Sequence, residues 1–163
     1  MLLLLLGCLD HTPIPGGVDD TVFVAMQSHF ADFRSWTSFT LDGTIAGHSG
    51  TEREIFVSAL PEEGAEVFPV GTMIVKSAPV GDSIELHAMA KRGGDYNQTG
   101  ARGWEWFELK ESSGIPVILW RGEEPPSGEG YVVLGGEDTA VDGDCNSCHQ
   151  AAYDNDYVHE VPL

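Results

Sequence analysis

The stretch Ser83-Ile84-Glu85-Leu86-His87-Ala88-Met89-Ala90-Lys91 decides the fold class. Every second residue from position 84 to position 90 is apolar, which is the period of a strand with one buried face. Turn-forming residues lie on both sides, at positions 79–82 and 92–95. We therefore predict a strand that is joined to its neighbours by short turns, as in an antiparallel sheet.

Similar strand patterns occur along the rest of the chain, at residues 54–60, 72–76, 104–110, 117–120 and 131–134. Val22, Met26, Phe30 and Phe33 are spaced as on one face of a helix, which predicts a helix over residues 19–36. A second, short helix is predicted over residues 149–157. These elements predict an α+β fold, an antiparallel β-sheet with flanking helices, in one domain at residues 19–163.

Composition limits the classes of partner. The chain has 163 residues, of which 26 are acidic and 8 are Lys or Arg, and its formal net charge is −18. Such a charge excludes nucleic acid as a partner and argues against electrostatic binding to anionic lipid. With 42% hydrophobic residues, the chain can bury one ordinary core.

The motif Cys145-Asn146-Ser147-Cys148-His149 near the end of the chain has the CxxCH spacing that attaches a c-type haem. The thiols of Cys145 and Cys148 would add to the haem vinyl groups, and His149 would bind the iron as the proximal metal ligand. Half of a CxxC zinc or redox site is the alternative, but it needs partners that the sequence lacks, since the only other cysteine is Cys8. The motif therefore predicts covalently attached haem c.

Residues 1–18 resemble a signal with a lipobox, followed by a tether. Five leucines lead into Gly7 and Cys8, and Pro13, Pro15 and Gly16 follow. The apolar run is too short to span a bilayer and no basic residue precedes it, so either the true start lies upstream or the signal is weak. A buried start of a strand is the alternative. We expect an exported periplasmic protein, anchored to the outer membrane through a lipid on Cys8.

Several segments in a fixed order resemble the cytochrome P460 family, which includes the β-sheet cytochromes c′-beta. These segments are GTEREIFV at 50–57, FPVGTMIVK at 68–76, MAK at 89–91, GWEWF at 103–107 and the CxxCH motif. The resemblance covers about residues 19–160. Class I cytochromes c carry CxxCH near the N-terminus, and cytochromes c′ are four-helix bundles, so neither matches this chain. The resemblance implies a five-coordinate haem with one open axial position, and a homodimer.

The family resemblance also implies further site residues. Lys76 corresponds to the lysine that P460 enzymes crosslink to the porphyrin, and Arg53 is a candidate partner of the pocket or of a propionate, so these two are the candidate catalytic residues. Both have an alternative interpretation as surface residues. Phe56 and Phe68 are candidates to line the haem pocket, or belong to the core. His87, by contrast, is expected on the surface.

The family's distal carboxylate, which acts as a base, aligns with Ala140, which cannot accept a proton. Neighbouring acidic residues could replace it, but Gly135, Gly136 and Gly143 favour a solvated loop; these acids are Glu137, Asp138, Asp142 and Asp144. We therefore expect binding of nitric oxide or a related small gaseous or nitrogenous ligand. An oxidoreductase acting on hydroxylamine or nitric oxide is one alternative, and a simple electron-transfer cytochrome is the other. The sequence does not identify a redox partner.

Overall fold

The structure is a computed structural model that describes residues 21–41, 53–80, 82–126, 132–135, 139–142 and 145–163. The predicted lipobox with Cys8, and the acidic residues Glu137, Asp138 and Asp144, lie outside the described residues.

Six strands form one antiparallel sheet in which each strand pairs with the next along the chain. The strands are β1 Thr37–Leu41, β2 Arg53–Val57, β3 Met73–Val80, β4 Ser83–Lys91, β5 Trp104–Ser112 and β6 Ile115–Gly122. A separate hairpin pairs β7 Val132–Gly135 with β8 Thr139–Asp142. Together with short helices, this sheet confirms the predicted α+β class.

The predicted strands correspond to β2 through β7, and β4 matches its predicted bounds. Two strands were not predicted. β1 reads TSFTL and is half exposed, so its pattern carries little apolar alternation. β8 lies in the acidic stretch that the glycines had suggested was a loop. In β8, two β-branched residues, Thr139 and Val141, favour the extended backbone.

The predicted helix over residues 19–36 is wrong for the described residues. Residues 21–26 have no regular secondary structure, and only two short 3₁₀ helices follow, Gln27–Phe30 and Phe33–Ser35. Val22 and Val24 are exposed while Ala25 is buried, and the Phe23 amide donates to the carbonyl of Arg92. β-branched residues at every second position favour an extended backbone here, and this outweighs the helical spacing.

The two faces of the sheet carry separate apolar clusters. Successive residues of a strand point to opposite faces of the sheet and so belong to different clusters. We call the face covered by the N-terminal segment the closed face; its cluster comprises Ala25, Phe30, Phe33, Phe56, Met73, Val75, Leu86, Ala88, Ala90, Phe107 and Leu109. We call the other the site face; its cluster comprises Ile55, Val57, Phe68, Ile74, Met89, Ala101, Trp104, Trp106, Val158 and Val161.

The C-terminal segment covers the site face. Its helix α1 spans Cys145–His149, and a 3₁₀ helix, Gln150–Asn155, continues from it. The predicted helix over residues 149–157 therefore begins four residues earlier, and its second part is 3₁₀. Asp156 and Tyr157 then have positive φ angles of 50° and 65°, which turn the chain back toward α1.

Candidate functional site

The CxxCH motif forms helix α1 and packs on the site face. Cys145 contacts the apolar cluster of that face, and the His149 ring lies 4.5 Å from the Trp106 ring between centroids. Among the described residues, neither cysteine of the motif forms a disulfide, and both are half-buried. The motif therefore presents two thiols and an imidazole from one short helix.

The hydrogen bond of His149 defines which of its ring nitrogens can bind a metal. Nδ1 lies 2.6 Å from the carbonyl oxygen of Tyr157. A carbonyl only accepts, so Nδ1 carries the proton, and Nε2 of the neutral ring keeps its lone pair. Metal-binding histidines typically donate their second nitrogen to a carbonyl or carboxylate in this way. The arrangement prepares Nε2 as a ligand atom.

Protein atoms surround the His149 ring even though the residue as a whole is half-buried. Trp106 lies against the ring, and His159 packs edge-on against it at 5.0 Å. This desolvation lowers the pKa of His149 to about 4, and the charges of His159 and Lys76 act in the same direction. The imidazole is therefore neutral at physiological pH, as metal binding requires.

His159 also contacts the motif. Its Nε2 donates to the carbonyl oxygen of Cys148 at 3.2 Å. A hydrogen bond with the Cys148 side chain raises the pKa of His159. No sequence pattern predicts this residue at the site, because it lies ten positions after His149 in an acidic tail.

Asn146, the first spacer residue of the motif, anchors α1 to the sheet. Its Oδ1 accepts from Trp106 Nε1 at 3.0 Å and from the Ala101 amide at 3.0 Å, and Asn97 Nδ2 donates to it at 2.8 Å. A Cβ on Gly100 would lie 2.3 Å from the Asn146 side chain, so only glycine fits there. Asn146 thus sets the register of the helix on the sheet.

Lys76 lies on the site face, in a row of residues that crosses five strands. The register pairs Ile55 with Lys76, Lys76 with His87, His87 with Glu108, and Glu108 with Trp120. Trp120 Nε1 donates to Glu108 Oε2 at 2.9 Å. The site face therefore carries a polar row next to the motif.

The surroundings of Lys76 place its ammonium close to the motif. Burial lowers the pKa of Lys76 to about 8, and the positive charge of Arg53 lowers it further. The charges of Glu85, Cys148 and Cys145 oppose this shift, so the two thiols of the motif lie within electrostatic range of the ammonium. The structure thus brings together Lys76 and the motif, two features that are about 70 positions apart in the sequence.

Arg53 is almost fully buried on the same face, with 3% of its surface exposed. Its Nη2 lies 3.2 Å from Glu160 Oε1 in an ion pair. Its Nη1 is buried and has no hydrogen-bond partner among the described residues. A buried guanidinium nitrogen of this kind costs free energy unless an acceptor binds it.

The two predicted phenylalanines lie on opposite faces. Phe56 packs edge-on against Phe33 at 5.2 Å on the closed face, so the structure does not bring it to the motif. The cause is the strand period, since Ile55 and Val57 take the site face. Phe68 does lie on the site face, where it packs against Trp104 at 5.8 Å.

Sequence reasoning missed two members of the polar row. His87, which the sequence predicts on the surface, is half-buried and lies on the site face between Lys76 and Glu108. Glu108 had not been singled out. The alternation of the strand could have identified His87. His87 and Met89 are two positions apart in β4 and therefore lie on the same face of the sheet.

No family model matches the chain, and no curated protein or solved structure matches it either. Among the described residues, no helix is long and apolar enough to cross a membrane. Nor do the described residues include three or more His, Cys, Asp or Glu side chains grouped to hold a metal ion. A haem iron needs only one such ligand from the protein, since the porphyrin supplies four nitrogens.

Proposed function

We propose that this chain is a c-type cytochrome of the P460 or c′-beta kind, with haem attached to Cys145 and Cys148 and iron bound by His149. The observation that carries the proposal is the 2.6 Å hydrogen bond from His149 Nδ1 to the Tyr157 carbonyl, which leaves Nε2 as a neutral ligand atom. When bound, the haem supplies a redox-active iron with an axial position for a small ligand.

The donor set of the site face fits this group. The two thiols, which form no disulfide among the described residues, lie one helical turn apart, with the imidazole adjacent. The partnerless Nη1 of Arg53 suits a propionate, because guanidinium and carboxylate form strong charge-assisted hydrogen bonds. Lys76 would lie beside the haem rather than in solvent, whether or not it is crosslinked to it.

We propose that the second axial position is open and binds nitric oxide or a related small ligand. Met89 is buried in one row between Ile74 and Trp106, and Met73 belongs to the closed face. Met26 is exposed, in the segment that covers the closed face. We therefore propose none of these three described methionines as a second axial ligand of the iron. The lack of such a ligand among the described methionines argues against a simple electron-transfer cytochrome.

An optical titration tests this proposal. The ferrous protein should have the spectrum of high-spin five-coordinate haem c, and nitric oxide should shift it. Low-spin α and β bands in the ligand-free ferrous protein would contradict an open position. A strongly red-shifted Soret band would instead indicate a haem crosslinked to Lys76, and Lys76→Arg should then abolish the red shift.

A second candidate function is oxidation of hydroxylamine by an external electron acceptor. It is favoured by Glu108 and His87, which lie in one row with Lys76 and could accept the protons released as electrons leave the substrate. General-base help typically contributes a rate factor of about 10²–10⁴. If this is the function, Glu108→Gln should lower turnover by such a factor. Glu111→Gln, in the same strand but paired with Arg34, should not.

We also propose that the protein is exported to the periplasm, anchored to the outer membrane through Cys8, and dimeric. Covalent attachment of haem in bacteria takes place outside the cytoplasm, which supports export. Cys8→Ser should move the protein from the membrane fraction into the soluble periplasmic fraction. An unchanged distribution would contradict the lipid anchor.

A further inference from the structure

Asp156 lies at a junction between the C-terminal segment and the sheet. It is buried and has left-handed backbone angles, φ 50° and ψ 38°, a region that Asp and Asn enter more readily than other non-glycine residues. Oδ1 accepts from Lys91 Nζ at 2.6 Å, and Oδ2 accepts from the Phe68 amide at 2.9 Å. Its backbone carbonyl accepts from Trp104 Nε1 at 2.7 Å. Groups of Lys91, Phe68 and Trp104, all outside the C-terminal segment, thus hold this one residue of the turn.

Lys91 fixes the other side of this junction. It ends β4, and its Nζ also donates to the Arg102 carbonyl at 3.1 Å and lies 5.0 Å from the centroid of the Trp104 ring. The side chains of Lys91 and Asp156 are only 10% and 5% exposed. Two opposite charges that are both removed from water hold their geometry firmly, because losing either partner leaves the other charge uncompensated.

The next residue after Asp156 is Tyr157, whose carbonyl accepts from His149 Nδ1. Tyr157 also has a positive φ, and its amide donates to the Ala152 carbonyl at 2.8 Å. The position of the Tyr157 carbonyl therefore depends on the turn at residues 156–157, and the Lys91–Asp156 pair holds that turn. The side chains of the pair bond to each other, to the Phe68 amide and to the Arg102 carbonyl, so the pair acts on His149 through the backbone of the turn.

We propose that Asp156 and Lys91 are positioning residues for the iron ligand: they hold the Tyr157 carbonyl against His149 Nδ1 and thereby set the reduction potential of the haem. This inference rests on the proposed function. A short hydrogen bond from Nδ1 increases the basicity of the imidazole as a ligand. A more basic ligand favours ferric over ferrous iron. Loosening the turn should therefore weaken the iron–histidine bond and raise the reduction potential.

The test uses the haem-loaded full chain. Asp156→Asn keeps the volume and an acceptor for the Phe68 amide but removes the charge. We expect the iron–histidine stretch of the ferrous form, measured by resonance Raman spectroscopy, to move to lower frequency. The ferric/ferrous potential should become more positive. Lys91→Gln, which keeps a hydrogen-bond donor without the charge, should shift both quantities in the same direction and keeps the test available if Asp156→Asn does not fold. Lys91→Arg keeps the charge, so its stretching frequency and reduction potential should lie closer to those of the wild type than the values of Lys91→Gln do.

Glu111→Gln is the matched control, since it makes the same carboxylate-to-amide change in an exposed ion pair with Arg34 on the closed face. It should leave both readouts unchanged. An Asp156→Asn or Lys91→Gln protein with the wild-type stretch and potential would overturn the positioning role while leaving the haem assignment intact. A wild-type protein without covalent haem would instead overturn the proposed function itself.

Discussion

The buried charge of Glu105 on the closed face and that of Arg53 on the site face are paired to different degrees. On the closed face, Glu105 is 2% exposed, and Arg121 binds it through two hydrogen bonds of 2.7 and 2.6 Å. Arg92 adds a third contact at 3.4 Å. On the site face, Arg53 is buried to a similar degree, yet its Nη1 has no partner among the described residues. Since buried polar groups are nearly always paired, the difference indicates that the site face is completed by an acceptor from outside the described residues.

Under the proposed function, one face stabilises the fold and the other holds the haem. The closed face is covered by aromatic side chains that pack on each other, such as Phe30 on Phe107 at 5.3 Å. The site face combines an apolar cluster with the polar row at Lys76 and with the motif. Substitutions on the closed face should therefore change stability alone, and those on the site face should change the properties of the haem.

The largest effect is expected from Phe30→Ala. Phe30 is fully buried on the closed face, so its removal leaves a cavity and should lower the free energy of unfolding by about 3–5 kcal/mol. Chemical denaturation measures this. The spectrum of the nitric oxide complex should remain that of the wild type, because Phe30 is on the face away from the motif. A changed spectrum in protein that is still folded would break the separation between the faces.

Arg53→Met sharpens the comparison on the site face. If a propionate pairs with Nη1, the substitution should cost roughly 1–3 kcal/mol more in the haem-loaded protein than in the Cys145→Ser, Cys148→Ser variant. The measurement is a double-mutant cycle of unfolding free energies. Equal costs in the two backgrounds would mean that the acceptor of Arg53 is not the haem.

The pH dependence of stability tests Lys76. The folded protein holds this lysine at a pKa of about 8, below its ordinary value of 10.5. Between these values the unfolded state binds more protons, so stability should rise with pH across this window, by about 2 kcal/mol once solvent screening of the half-buried group is allowed for. Lys76→Met should flatten this part of the profile. A wild-type profile that is already flat between pH 8 and 10.5 would contradict the burial of the ammonium.

The smallest effect belongs to Glu111 on the closed face. Its hydrogen bond with Arg34 lowers the pKa of the carboxyl below 4.5. This pair should contribute about 0.2–1 kcal/mol at neutral pH, and the contribution should be lost as the pH falls through the folded pKa. Wild type and Glu111→Gln should therefore converge in stability in acid. High salt should reduce the difference at neutral pH as well.

The sequence predicted the strands more reliably than the helices. β4 was predicted with its bounds because strict alternation has one structural meaning, and turn residues lie on both sides of it. Phe30 and Phe33 have helical spacing, but Val22 and Val24 favour an extended backbone. The extended backbone is the one in which Phe23 and Ala25 make their contacts with the rest of the protein. A local sequence pattern contains no information about such tertiary contacts.

The candidate site was predictable where it consists of a motif and less so where it depends on register. The spacing of Cys145, Cys148 and His149 could be recognised directly, and the family resemblance led to Lys76 and Arg53. His87 and Glu108 required knowledge of which strands pair. The Tyr157 carbonyl could not be predicted at all, because a backbone atom placed by a left-handed turn leaves no mark in the residue types.

The most direct test of the central claim is the intact mass of the protein, purified from cells that mature c-type cytochromes. Wild type should be heavier than its polypeptide by one haem, and the Cys145→Ser, Cys148→Ser variant should have the mass of the polypeptide alone. His149→Ala should keep the added mass but lose the iron–histidine stretch. An unmodified wild-type mass, in cells that load a control cytochrome c, would contradict the account.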